Sequence, residues 1–284
     1  MSELGPSELK HILDFAQTLT YKVSRQLLRD RKHLDQLKVT HKQAQGVVSE
    51  ADLRAEATIV DGLKKKYPHH NFLAEETSFR EHGDSKNHYL EASKKEWLWI
   101  IDPLDGTNNF LNGLDYFAIS MALCYKGETV LALVVRPATG EVFHGLKGKG
   151  SFYRPSGSSR NQKIYSEKSA KKFSECLLST GFVSEKGEFF DQEFQTFKTL
   201  MSKSRGLRRM GSAVLDLCYV ALGQFDGFWE RGLAPWDTAA ASFICQLSGV
   251  KVTDYNNKKF SPFSATIAAA RKPIHTKLRK ELPQ

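Results

Sequence analysis

The stretch WIIDPLDGTNNF, residues 99 to 110, places two carboxylates three residues apart. An apolar strand is expected to end in Asp102, Pro103 to turn the chain, and Asp105 to follow just before Gly106 and Thr107. Carboxylates this close repel each other unless a cation sits between them. Oxygen-only ligands suit Mg²⁺, which takes a few carboxylates and keeps waters or phosphate oxygens at its other positions. Gly106 lets the backbone approach a ligand closely, and Thr107 to Phe110 can open a helix whose free N–H groups face an anion. Metal and phosphate would then meet at one loop. Read alone, the loop also fits a turn whose aspartates cap backbone N–H groups, the less favoured of the two readings.

Further acids carry two readings each. Glu75 and Glu76 close NFLAEE, as metal ligands or as a solvated strand end. Asp237 in PWDTAA starts a long helix, where an acid contributes about 0.5 to 1 kcal/mol through the helix dipole alone. Asp52 in SEAD is either a site residue or the far half of a capping box with Ser49. No GxSxG elbow or reactive-cysteine signature offers a protein nucleophile.

The elements that must position these acids follow from periodicity. After Ser7, read as an N-cap, Leu9, Ile12, Leu13, Ala16, Leu19, Val23 and Leu27 recur at helical spacing. A second helix is expected in VVSEADLRAEATIVDGLKKKYP, with Leu53, Ala57, Val60 and Leu63 sharing a face and Pro68 stopping it. From Asn71 the chain turns to short β-rich runs: NFLAEE, WLWIID, FAISMALCY, TVLALVVRP and EVFHGL. WLWIID does not alternate, so both its faces should be covered. The lysine-rich SRNQKIYSEKSAKK reads as an irregular connection. Beyond it come the strand CLLSTGF, helices near Phe189 to Met201 and Ser212 to Leu222, the strand FDGFWE, and a last long helix from Trp236 to Leu247 with Gly249 as its stop. The order of elements indicates a layered α+β protein.

With 284 residues, 40% hydrophobic and 26% charged, the chain suits one large or two intimate units. The expectation is a single unit over 1–284 with approximate halves 1–160, carrying the metal-binding acids, and 161–284, on the substrate side. No apolar run approaches the roughly 18 to 20 residues of a membrane span, and MSELGPSELKH lacks the order of a signal peptide, so no membrane association and a cytoplasmic location are expected. Four cysteines, Cys124, Cys176, Cys218 and Cys245, are spread through apolar stretches and read as reduced and buried. The net charge of +9 invites nucleic acid, yet the basic residues are dispersed and no nucleic-acid motif accompanies them, so the surface is read as solvated and attractive to anionic substrates.

Taken together, EAD, EE, DPLDGT and WD in that order resemble the inositol monophosphatase family of Mg²⁺-dependent, lithium-sensitive phosphatases. The resemblance runs from VVSEADLRAE through FLAEET, IIDPLDGTNNF, GKGSF, LLSTGF and LRRMGSA to GLAPWDTAA. It implies an αβαβα sandwich, a homodimer, and two to three Mg²⁺ per site. By that resemblance Glu75, Asp102 and the carbonyl of Leu104 hold a first ion. Asp102, Asp105 and Asp237 hold a second, and Glu75 with water holds a weaker third. Asp52 orients metal-bound waters, Thr107 with Glu75 positions the attacking water, and the Gly106–Thr107 backbone holds the phosphate. Gly211, Ser212, Ala213 and Glu230 meet the substrate's hydroxyls, although the first three also read as a helix start and Glu230 as a strand-end charge. The substrate implied is inositol monophosphate or a similar sugar or polyol phosphate. Bisphosphate nucleotidase, fructose bisphosphatase and histidinol phosphatase activities are the neighbouring alternatives, and Asn109-Phe110 with Glu230 favours the inositol branch. Two departures bear on the substrate: Asn112 stands where many relatives have His, and QGVVSEAD replaces an Asp-Leu-Val-Thr run. A basic binding protein for nucleic acid or a protein partner is the alternative from another class.

Overall fold

The first part of the chain runs through α1 (Pro6–Asp30), the antiparallel pair β1 (Val39–Lys42) and β2 (Gly46–Ser49), α2 (Glu50–Lys66), β3 (Asn71–Ala74), α3 (Glu75–His82) and α4 (Lys86–Ser93). Then come β4 (Trp97–Asp105), α5 (Thr107–Leu111), β5 (Ala118–Tyr125), β6 (Glu128–Arg136), β7 (Glu141–Leu146), β8 (Gly150–Arg154) and β9 (Gln162–Lys163). The remainder is β10 (Leu177–Thr180), α6 (Glu188–Lys203), β11 (Gly206–Arg208), α7 (Ala213–Leu222), β12 (Gly227–Arg231), α8 (Pro235–Leu247), β13 (Lys251–Thr253), β14 (Thr266–Ala270) and α9 (Lys272–Lys280). These elements belong to a computed structural model that describes residues 4–42, 46–83, 86–165, 171–182 and 187–283.

Strands β3 to β9 form a seven-stranded sheet in sequence order, with β3 parallel to β4 and each later pair antiparallel. The second sheet has the order β11-β10-β12-β14-β13, parallel across β11, β10 and β12. Helices α1 and α2 cover one face of the larger sheet, α7 and α8 fill the space between the two sheets, and α9 packs on the outer face of the smaller one. This is the expected αβαβα layering.

The unalternating apolar run of β4 follows from two cores. Trp97, Trp99 and Ile101 enter the cluster beneath α1 and α2, while Leu98 and Ile100 enter the one shared with α7 and α8. Strand residues point alternately to opposite faces, so a run buried on both sides must be apolar throughout. On the α8 side the strands carry Ala118, Ala122 and Ala132, and the helix answers with Ala239, Ala240 and Ala241, all buried. Small residues let helix and sheet approach closely, which fixes where α8 begins and hence where Asp237 stands. All four cysteines are buried and free, as expected.

Several boundaries differ from the sequence reading. Gly5, not Ser7, precedes α1, because Glu8 reaches back to the Gly5 N–H at 2.8 Å. In α2 the buried stripe is Ala51, Asp52, Ala55, Glu56, Ile59 and Leu63, while Leu53 is 43% exposed. The helix is rotated from the apolar-face expectation because two of its acids have partners inside. NFLAEE stops being a strand at Ala74, and Glu75 opens α3. Strand β4 does not end at Asp102 but continues through a register shift to Asp105. After Leu247 the chain still adds β13, β14 and α9, which the reading of α8 as the last long helix overlooked because these pieces are short. The lysine-rich connection contains β9, and its residues 166–170 lie outside the described residues. No helix of the described residues is long and apolar enough to cross a membrane.

Candidate active site

Four elements deliver the acids to one place. Asp102 and Asp105 lie at the C-terminal end of β4, and the register shift against β5 between them bends the strand. Asp237 sits in the first turn of α8, Glu75 opens α3 straight after β3, and Asp52 sits in the first turn of α2. Strand C-termini and helix N-termini thus converge, an arrangement that offers N–H groups and positive dipole ends to an anion.

One carboxylate oxygen each from Asp102, Asp105 and Asp237 lies within 4.8 Å of the other two. The carboxyl of Glu75 is in hydrogen-bond contact with Asp102. They line a cavity of about 180 Å³ together with Leu104, Gly106, Thr107 and Gly211. So many acids cannot all ionise unaided. Burial, and then Glu75, Asp105 and Asp237, hold Asp102 well above the usual carboxylate range. Burial likewise pushes Asp105 up to about 7, although the Ser212 hydroxyl and the Val214 N–H pull it down. A cluster of hard oxygen donors whose charges lack compensation fits a hard divalent cation such as Mg²⁺.

The ordinary readings of these acids hold as well. Asp237 Oδ2 accepts the Ala234 N–H at 2.7 Å and closes the start of α8. Asp52 Oδ2 accepts the Ser49 N–H at 2.9 Å and the Ser49 hydroxyl at 2.5 Å, which is the capping box. Its other oxygen accepts Thr107 Oγ1 at 2.9 Å. Both oxygens of Asp52 are therefore engaged by the protein. Burial raises its pKa, against the bonds from Ser49. Asp102 Oδ1 accepts the Leu104 N–H at 2.9 Å, which shapes the loop that carries the Leu104 carbonyl.

A second cavity of about 180 Å³ adjoins the first and shares Asp105, Gly211 and Asp237 with it. Ser212, Ala213 and Glu230 line it, so all four residues expected on the substrate side stand here. Ser212 caps α7 by accepting the Leu215 N–H at 3.2 Å and donates its hydroxyl to Asp105, while the Val214 N–H reaches the same carboxylate at 3.1 Å. Gly106, at φ +88°, serves a close approach: a Cβ there would stand 3.0 Å from the Tyr116 carbonyl and 3.2 Å from that of Gly211. Asn109 Nδ2 ties the same pieces by donating to the carbonyls of Tyr116 and Met210 at 2.7 and 2.8 Å. Glu230, at the end of β12, lies against Gly181, where a Cβ would fall 2.0 Å from its Oε1. Burial first, and then Asp237, Asp216 and Asp105, lift the Glu230 carboxyl well above its ordinary range.

Sequence reasoning missed Glu56, Gly181, Arg209 and Asp216. Glu56 accepts the N–H groups of Glu76 and Thr77 at 2.7 and 2.8 Å and the Thr77 hydroxyl at 2.6 Å, so it starts α3 and sets Glu75 in place. Its signal was the i, i+4 spacing from Asp52 on the stripe with Ile59 and Leu63. Asp216 was detectable as a lone acid in the apolar run AVLDLCYVAL, where a buried charge demands a partner. Gly181 and the exposed Arg209, which lines the second cavity, carried no such signal.

The family model described as the inositol monophosphatase family matches residues 8–284. A protein of Neisseria meningitidis serogroup B named putative Nus factor SuhB is 37% identical over 254 residues, which are 89% of this chain and 91% of the relative. An inositol-1-monophosphatase of Caulobacter vibrioides is 35% identical over 265 residues, 92% of this chain and 96% of its own. The solved structure of the extragenic suppressor protein suhB of Bartonella henselae superposes with a TM-score of 0.82 at 30% identity, over 96% of this chain and 99% of that one. The Thermotoga maritima IMPase does so with a TM-score of 0.78 at 31% identity, over 95% and 96%.

Proposed function

The chain belongs to the inositol monophosphatase family, and from that premise we propose that it is a Mg²⁺-dependent phosphomonoester hydrolase with an inositol monophosphate as its substrate. The observation that carries this reading is the convergence of Asp102, Asp105 and Asp237 within 4.8 Å, beside a polar cavity of a size for a small ester. In this reading Glu75, Asp102 and the Leu104 carbonyl would hold one ion, Asp102, Asp105 and Asp237 would hold a second, and Glu75 would contribute to a third. When bound, Mg²⁺ supplies Lewis acidity, lowering the pKa of water and offsetting charge on the phosphoryl oxygens.

The chain's own residues do the rest. Thr107 Oγ1 has one hydrogen and two acceptors in reach, Asp52 Oδ1 at 2.9 Å and the Leu104 carbonyl at 3.1 Å. Its proton is thereby committed and its lone pairs are free to accept a hydrogen from the attacking water, with Glu75 beside it. Asp52 acts as the anchor of that hydroxyl. The backbone of Gly106 and Thr107, at the start of α5, would hold the phosphate. Gly211, Ser212, Ala213 and Glu230 would receive the polyol. No covalent enzyme intermediate is required. Family membership supports the attendant expectations of lithium sensitivity, a homodimer and a cytoplasmic location.

The test is phosphate release from myo-inositol 1-phosphate, fructose 1,6-bisphosphate, adenosine 3′,5′-bisphosphate and histidinol phosphate, with and without Mg²⁺. Mg²⁺-dependent release that prefers the inositol ester is expected. Preference for another member would move the substrate, and no release from any would remove the reaction.

A second reading has an observation of its own, since relatives 37% identical carry the name Nus factor SuhB. The net charge of +9 would favour an anionic partner. A partner role of this kind predicts salt-sensitive retention of nucleic acid or protein that persists in Asp102→Asn.

A further inference from the structure

On the substrate side one acid has no part in the reading above. Asp216 stands in the first turn of α7 and is 1% exposed, with Leu215, Leu217 and Cys218 buried around it. A carboxyl so placed is strongly disfavoured unless donors surround it, and the protein supplies one. Tyr116 donates its hydroxyl to Asp216 Oδ1 at 2.6 Å. The buried Ser179 hydroxyl lies beside Asp216 without completing a hydrogen bond. Oδ2 accepts no hydrogen bond from any described residue, and Asp216 lines the cavity that Glu230 and Asp105 also line. Holding Tyr116 needs a single acceptor, which a neutral side chain would provide. Asp216 lines the cavity where the alcohol part of an ester would lie, and Oδ2 is the oxygen that Tyr116 leaves for it. Burial disfavours the charge of Asp216, pushed up to about 8, and of Glu230, so a ligand that brings hydrogen-bond donors to their oxygens is favoured, and hydroxyls are such donors.

We propose that Asp216 is a specificity-determining residue that accepts a hydrogen bond from a hydroxyl of the substrate remote from the ester oxygen, so that with Glu230 it selects a polyhydroxylated phosphomonoester. The inference rests on the phosphatase reading and deepens it. A site built to bond a hydroxyl rejects the analogue that lacks it, because a buried polar group is then left unpaired.

The experiment compares kcat/KM for myo-inositol 1-phosphate with that for each of its monodeoxy analogues, in Mg²⁺, for the wild type, Asp216→Ala, Asp216→Asn and Tyr116→Phe, with p-nitrophenyl phosphate as a substrate bearing no polyol. The readout is the ratio between parent and deoxy ester, from which any loss common to both cancels. In the wild type one deoxy position should cost about 10-fold or more. Asp216→Ala should shrink that penalty to about 3-fold or less at that position alone. Asp216→Asn keeps an acceptor for Tyr116 and should shrink it too, which covers a failure of the alanine variant to fold. Tyr116→Phe should keep the discrimination, since it leaves Oδ2 in place. An undiminished penalty in both Asp216 variants overturns the proposal, as does equal discrimination at every position in the wild type. Hydrolysis of p-nitrophenyl phosphate without preference for the polyol ester overturns this inference alone, whereas no hydrolysis of any substrate overturns the phosphatase reading with it.

Discussion

Thr107 and Asp52, 55 residues apart in the chain, meet through a hydrogen bond of 2.9 Å from Thr107 Oγ1 to Asp52 Oδ1. Because Ser49 fills the other oxygen of Asp52, the carboxylate is fixed on one side by the start of α2 and on the other by the start of α5. The pair joins the two helix starts and orients a hydroxyl over the acid cluster. Thr107→Ala should lower kcat by about 10²-fold or more, the range of a lost positioning group in proton transfer, while Mg²⁺ affinity stays within about 3-fold. Thr107→Ser should recover most of the rate. A threonine-free site that turns over normally would remove Thr107 from the proposed chemistry.

Asp102 is surrounded by Glu75, Asp105 and Asp237, and each raises its pKa. Asp102→Asn deletes a charge from a crowded acidic cluster and keeps the shape. The metal-free variant should therefore melt no lower than the wild type, whereas turnover should fall below about 1% because a carboxylate that would hold the metal is gone. Calorimetry without metal and a phosphate-release assay with Mg²⁺ check the two halves separately. Full activity in this variant would sink the assignment of Asp102.

Burial of Asp105, with a smaller push from the charge of Glu75, sets a pH dependence for the metal-free protein. Asp105 titrates near 7 when folded and near 4 when unfolded. Below about pH 4 both states hold the proton and nothing changes. Between about pH 4 and 7 the unfolded chain releases it while the folded one keeps it, so the folded state loses stability as pH rises, and the loss levels off above 7. Melting in chelator should thus be lower at pH 8 than at pH 5.5. Excess Mg²⁺ should reverse that order by binding only the folded protein, with about 2.7 kcal/mol for a site at 100 times its Kd. Equal Mg²⁺ stabilisation of a variant lacking Asp102 and Asp105 would place the ion elsewhere.

Much of the fold was legible because its signals are local. The unalternating run of β4 announced two covered faces. The acids of the cluster were legible as residue types near glycines and helix starts. The rotation of α2 was not, because Asp52 and Glu56 are buried by hydrogen bonds to backbone N–H groups of Ser49, Glu76 and Thr77, and partners 20 residues away leave no trace in periodicity. For the same reason NFLAEE read as a strand to its end, although Glu56 makes its last two residues a helix start. The partner of Asp216, Tyr116, stands 100 residues earlier in the chain, so nothing in the local sequence shows it.

Gly181 gives the sharpest steric test of the substrate side. It follows β10, which lies beside β12, and the Glu230 carboxylate occupies the space a side chain would take: a Cβ would fall 2.0 Å from Oε1 and 2.4 Å from Cδ. The obstructing atoms end a side chain, so Gly181→Ala should move Glu230 and not break the strand, at a cost of about 1 to 3 kcal/mol typical of overpacking. If Glu230 receives a substrate hydroxyl, KM for the inositol ester should rise about 10-fold with the Mg²⁺ requirement unchanged. Glu230→Asp, shorter by one methylene, should relieve the clash, so the double variant should melt higher than Gly181→Ala alone. A KM untouched by Gly181→Ala, in a protein whose melting shows that the clash is felt, would mean that Glu230 supports the cavity wall without meeting the substrate.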